Sequence, residues 1–156
     1  MANHTSFKSL SDRLAKVAVQ VEDNSVVVAK KATFAGLQAA VLATPVDEGT
    51  ARSNWNVSVR EPDTESTREA YVKGNNLGQG ESQNANRAIV AGSDKIKQYK
   101  YADRKLFITN NLNYIGFLDQ GSSEQAPQGM TQFALNAIAQ VIKQAKLLKE
   151  QLKDDD

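Results

Sequence analysis

Apolar residues open the chain at alternating spacings of three and four: Phe7, Leu10, Leu14, Val17 and Val21. That spacing puts them on one face of a helix, with Thr5 or Ser6 as its cap. The pattern stumbles at Glu22-Asp23-Asn24-Ser25 and resumes through Val27, Phe34, Leu37 and Val41. Ala29, Ala32, Ala35, Ala39, Ala40 and Ala43 add helix propensity to the second stretch. Two consecutive helices fit, and so does one long helix with a slip in register. Pro45 ends the run, because the residue before a proline is pushed out of the helical region.

The period then changes to two. Trp55, Val57 and Val59 alternate with Asn54, Asn56, Ser58 and Arg60, the signature of a half-buried strand. Pro62 and the charged run at 63–69 close it. Residues 73–84, with Gly74, Gly78, Gly80 and three asparagines, read as an exposed loop. A helix follows, with Ala85, Ala88, Ile89, Gly92 and Ile96 near one face. Leu106-Phe107-Ile108-Thr109 reads as a second strand, buried on at least one side. Asn110-Asn111 ends it, and Asn111 is placed to cap a short helix carrying Tyr114, Ile115 and Leu118. Gly121 stops that helix in the left-handed conformation. Ala134, Ile138, Val141, Ala145, Leu148 and Leu152 form a last stripe at helical spacing, with Lys143, Lys146 and Lys153 mostly away from it. Residues 153–156 read as a frayed tail. The fold class is α+β in a single domain over 1–156: a long N-terminal helix or helix pair, a small antiparallel sheet and a long C-terminal helix.

Composition narrows function mainly by exclusion. At 156 residues the chain is long enough for one modest core. A net charge of +1 gives no global pull toward nucleic acid or an anionic membrane. The absence of cysteine excludes disulfide frameworks, thiolate catalysis and cysteine-based metal sites. No apolar run approaches the ~20 residues that cross a bilayer, and the N-terminus lacks a secretory pattern. The expected setting is the cytoplasm of the producing cell, with no membrane partner. There is no internal repeat.

Candidate chemistry is sparse. His4 is the lone histidine and sits at the terminus, so a serine–histidine–acid triad would have to recruit it there. Asp47/Glu48 and Asp119/Glu124 are paired carboxylates with no apolar setting to tune them. The glycines at 74, 78 and 80 do not lie between a strand and a helix, and no Lys-Ser/Thr pair follows, so they form no phosphate cradle. The expectation is no enzyme, with no catalytic, cofactor-binding or metal residues. Lys95, Lys97, Lys100, Arg104 and Lys105, interleaved with Tyr99 and Tyr101, are the candidate DNA contacts. The plainer alternative is a solvated helix end with tyrosines on the margin of the core.

Two loop motifs carry the most specific residue choice. In Thr44-Pro45-Val46-Asp47-Glu48-Gly49-Thr50-Ala51-Arg52-Ser53-Asn54-Trp55, Pro45 stops a helix, Asp47 can form a turn with its own backbone, and Gly49 supplies a conformation other residues resist. Trp55 suits the core, and Arg52 suits an interface or a structural ion pair. In the second motif, Gly121-Ser122-Ser123 is a polar turn and Gln125-Ala126-Pro127 an extended exit before the last helix.

The first motif resembles the proline–valine–aspartate–glycine–arginine turn of tailed-bacteriophage tail-completion and neck proteins, the head–tail joining family. Glu48 and Thr50 depart from the usual Thr and Arg around the glycine. Ile108-Thr109-Asn110-Asn111-Leu112-Asn113-Tyr114-Ile115, followed by Leu118 through Pro127, is similar to that group's second signature, in the same order along the chain. The resemblance implies a virion structural protein at the head–tail junction or the top of the tail, made in the host cytoplasm. It implies a homo-oligomeric ring, six- or twelvefold, contacting other neck, connector and tail proteins, with DNA in the channel. Asp47, Arg52, Asp119, Gly121, Ser122, Ser123, Gln125 and Pro127 are the residues expected at subunit contacts. A DNA-contacting packaging or connector accessory is the alternative.

Overall fold

A computed structural model describes residues 4–46, 49–69 and 81–154. Along the chain come α1 (His4–Ala43), α2 (Thr50–Ser53), β1 (Trp55–Val59), α3 (Glu81–Gln98), a 3-10 turn (Tyr101–Asp103), β2 (Leu106–Asn110), α4 (Ile115–Asp119) and α5 (Thr131–Asp154). The architecture is α+β: a long N-terminal helix, a two-stranded antiparallel sheet and a long C-terminal helix.

The N-terminal pattern is one unbroken helix of 40 residues. Its slip at 22–25 lies in the side chains, not the backbone; Ser25 Oγ donates to Glu22 O at 2.7 Å within the helix. The described part of α1 starts at His4, so Thr5 and Ser6, expected as its cap, lie within the helix. The slip marks a change of surroundings. Residues 11–24 are exposed, whereas Leu37, Ala40 and Val41 are fully buried. Over Ser11–Ala43 the helix is long and apolar enough, by length and composition, to cross a membrane, which corrects the expectation that no apolar stretch reaches that length. In this fold its C-terminal half is the central core helix.

Strands β1 and β2 pair from Trp55↔Asn110 to Val59↔Leu106. Trp55 and Val57 are buried, while Asn56 and Ser58 are less so, as the two-residue period requires. Arg60 N–H still donates to Lys105 O at 3.1 Å. There the chain leaves the ladder, with Arg60 and Arg104 both at positive φ (73° and 69°). The core lies where the second half of α1, β1, α3 and the start of α5 meet, around Leu37, Val41, Trp55, Val57, Ala88, Ile96 and Met130. Two glycines permit this close packing. A Cβ at Gly92 would strike Leu37 of α1, and one at Gly36 would lie 2.7 Å from Ile138 of α5.

Helix α3 begins at Glu81, so residues 81–84 of the expected loop are helical, and 73–80 lie outside the described residues. Asn111 does not cap α4; its amide donates to Asp63 Oδ1 at 3.3 Å and Ser66 O at 3.1 Å, and Tyr114 holds the cap position. Of the C-terminal stripe, Ala134 is buried and Ile138, Val141 and Ala145 are half-buried. The side chains of Leu148, Leu152 and Lys153 lie outside the described residues. Residues 153 and 154 are helical, and 155–156 are not described.

Candidate functional site

The first motif is built on the end of α1, where the last carbonyls have no partners within the helix. Thr44 N–H turns back to Val41 O at 3.3 Å, and Thr44 Oγ1 donates to Ala40 O at 2.7 Å. Arg52 donates through one guanidinium nitrogen to Leu42 O at 3.2 Å and Thr44 O at 2.8 Å. A cation over the negative end of a helix dipole is favourable, and the planar guanidinium reaches two carbonyls at once. Trp55 is 7 % exposed, and its Nε1 donates to Thr44 Oγ1 at 2.7 Å. Gly49, at φ 80°, starts α2. Fully buried Ser53 donates to fully buried Asn84 Oδ1 at 2.8 Å. Asn54, also fully buried, donates to Thr50 O and Arg68 O and accepts the Arg68 N–H. Asp47 lies outside the described residues.

The second motif is built on the start of α5. Asp119 Oδ1 accepts the Met130 and Thr131 N–H groups, both at 2.7 Å, and so caps that helix from a distant segment. Burial pushes the Asp119 carboxyl up, but the hydrogen bonds from the Thr131 hydroxyl and the Thr131 and Met130 amides together hold it below its ordinary value. Gly121, at φ +82°, sits so close to Pro127 that a Cβ would strike its carbonyl oxygen. Gly129, at φ +72°, is packed the same way against Asp119. Ser122 N–H donates to Phe117 O, and Ser123 Oγ accepts the Gln125 N–H at 3.3 Å.

The two motifs meet through Gln125. Its Oε1 accepts the Val46 N–H at 3.0 Å and its Nε2 donates to Val46 O at 3.2 Å, pairing the amide with one backbone unit like a step of sheet. Ser122, Gln125 and Pro127 are exposed at this corner, while Arg52 and Asp119 are half-buried and turned toward the helix ends they cap. Phe117 of α4, which lies within the second motif but is not among the expected contact residues, is 67 % exposed and adds an apolar group here. Its signal was legible, since Ile115 and Leu118 claim the inward face of so short a helix.

Lys95, Lys97, Lys100, Arg104 and Lys105 are all exposed around the end of α3 and the 3-10 turn. Lys97 pairs with Asp94 at 3.0 Å, and Lys30 donates to Lys97 O at 2.8 Å. Lys30, Lys31 and Lys97 border an open groove with Phe34, Ser93 and Ile96. Tyr99 is 8 % exposed, which leaves Tyr101 as the aromatic on this surface, under the Arg104 guanidinium at 5.7 Å. Asp103, missed in the sequence, organises the turn. Its Oδ2 accepts the Lys100 N–H at 2.8 Å and its Oδ1 pairs with Arg60 at 2.7 Å; both hold the carboxyl below its usual range. Among the described residues no group of three or more His, Cys, Asp or Glu is placed to hold a metal ion. No family model, curated protein or solved structure matches this chain.

Proposed function

We propose that this chain is a ring-forming structural subunit of a tailed-phage virion, at the head–tail junction or the top of the tail. The observation that carries the reading is the joining of the two resembling motifs. They lie far apart in sequence, yet Gln125 clamps Val46 and each motif caps one of the two long helices. The result is one braced corner presenting Ser122, Gln125, Pro127 and Phe117 to a neighbour. Shape and backbone bonding dominate there, as suits a subunit contact. A ring needs a heterologous contact that closes, so the corner meets a different surface of the next copy. Electron microscopy of the purified protein tests this: closed rings of one subunit number are expected. Open filaments, or a monomer at every concentration, would argue against it.

The DNA-contacting alternative is supported by one observation, the exposure of five cations around the end of α3 and the 3-10 turn, near Lys30 and Lys31. Replacing Lys95, Lys100 and Lys105 by Ala should then weaken DNA binding and flatten its salt dependence by about one power per lost phosphate contact. Binding that is absent, or unchanged in the triple variant, removes this reading.

A further inference from the structure

Residues 11–24 of α1 are exposed and lie outside the core cluster. At 1.5 Å per residue a 40-residue helix is about 60 Å long and a 24-residue one about 36 Å. Helix α5 begins against the end of α1, with Met130 and Ala134 in the cluster that holds Val41, and meets Gly36 through Ile138. Running back from there, it cannot cover the whole of α1. In the uncovered part Val19, 58 % exposed, lies on one face, and Leu14, Val17 and Val21, 60 %, 55 % and 57 % exposed, share another.

The spacing of that face is the second observation. Positions 7, 10, 14, 17, 21, 24 and 28 are Phe, Leu, Leu, Val, Val, Asn and Val, an uninterrupted alternation of three and four. A repeat of 3.5 residues keeps a stripe facing a neighbouring helix, and it is not needed merely to cover a globular core. Continued toward the C-terminus, the stripe meets exposed Lys31, half-buried Ala35 and Gln38, and exposed Leu42, not the buried Leu37 and Val41. It is therefore a different face from the one that packs into the core.

Charge names the occupant. The outer part of the arm carries Lys8, Arg13 and Lys16 against Asp12, and the inner part carries Glu22 and Asp23 with no cation before Lys30. We infer that this arm packs antiparallel against the same arm of a second copy of the chain, basic end beside acidic end. An antiparallel register with Leu14 opposite the partner copy's Val17 also sets position 10 opposite 21, so the central layers pair apolar stripe positions, and the polar Asn24 falls at the outer end of the contact, opposite position 7. A parallel pair would place like charges side by side. Such a contact is isologous and closes on itself, so it is separate from the ring contact and does not rest on the virion reading.

The chain has no cysteine, so single cysteines report orientation cleanly. Mixing full-length Leu10→Cys and Val21→Cys proteins under oxidising conditions should give the mixed disulfide. Homodimers of Leu10→Cys with no mixed product would overturn the antiparallel arrangement, since in it the two copies of position 10 lie about 16 Å apart along the axis. The full-length Leu14→Glu/Val17→Glu double variant should weaken self-association about a hundredfold or more, because apolar groups are replaced by facing charges. Both sites are exposed, so its helical circular dichroism should match the parent. A variant that associates like the parent, or a parent that never pairs at micromolar concentration, refutes the arm contact. Rings that persist in the double variant while pairing is lost are the expected result, because the two contacts are separate; loss of both together would contradict that separation.

Discussion

At the scale of single residues, the conspicuous polar side chains of the two motifs act first on their own backbone. Arg52 and Thr44 bind carbonyls at the end of α1, and Asp119 binds amides at the start of α5. Thr44 Oγ1 is also the acceptor for the buried Trp55 indole. Thr44→Val keeps the shape but strands that N–H, so urea unfolding should show a loss of about 1–3 kcal/mol. Asp119 is depressed in the folded state, so its stabilising contribution is complete at neutral pH. That contribution fades as the pH falls from the ordinary carboxylate value, about 3.9, through the lower folded one. Asp119→Asn should lower stability at neutral pH by about 1 kcal/mol. It should also flatten the acid limb of the stability curve, and an unchanged limb would remove Asp119 from the account. Reading the sequence placed Trp55 in the core and Gly121 in the left-handed region, both from local rules. It did not reveal Asn54, Asn84 or Asp103, because a polar residue gives no pattern that says which distant backbone group it will bind.

At the scale of elements, periodicity found most of the fold. The two-residue alternation at Trp55–Val59 and the apolar run at Leu106–Thr109 are the two strands, and Pro45 marks the end of α1. Boundaries set by caps were less legible. Thr5, Ser6 and Asn111 are good caps by type, yet α1 starts ahead of the first two and Asn111 is engaged with the 63–66 segment. The slip at 22–25 left one helix or two open, since a change of apolar face and a break in backbone look alike in sequence. The second loop depends on a backbone that only glycine tolerates: Gly129 combines φ +72° with backbone contact to Asp119. Gly129→Ala should therefore cost more than about 1 kcal/mol in the same unfolding experiment. A neutral effect would mean that the α4–α5 connection is looser than this packing requires.

At the scale of the whole molecule, the motifs that stood out in the sequence form a single corner between the ends of the long helices. Which residues belonged to the corner was legible, apart from Phe117. That they held each other through Gln125 and Val46 was not, because the pairing spans two loops with no shared period. One end of α1 is thus built into a braced corner, and the other extends as an apolar arm beyond the core. Both features suit a subunit whose work is to hold copies in fixed relation. The most direct measurement is immunogold labelling, with antibody to the purified protein, of virus particles isolated from a lysate in which that antibody detects the chain. Label confined to the head–tail junction or the top of the tail is the expected result. Particles that carry no label there, although the antibody detects the protein in the lysate, would contradict the proposed role.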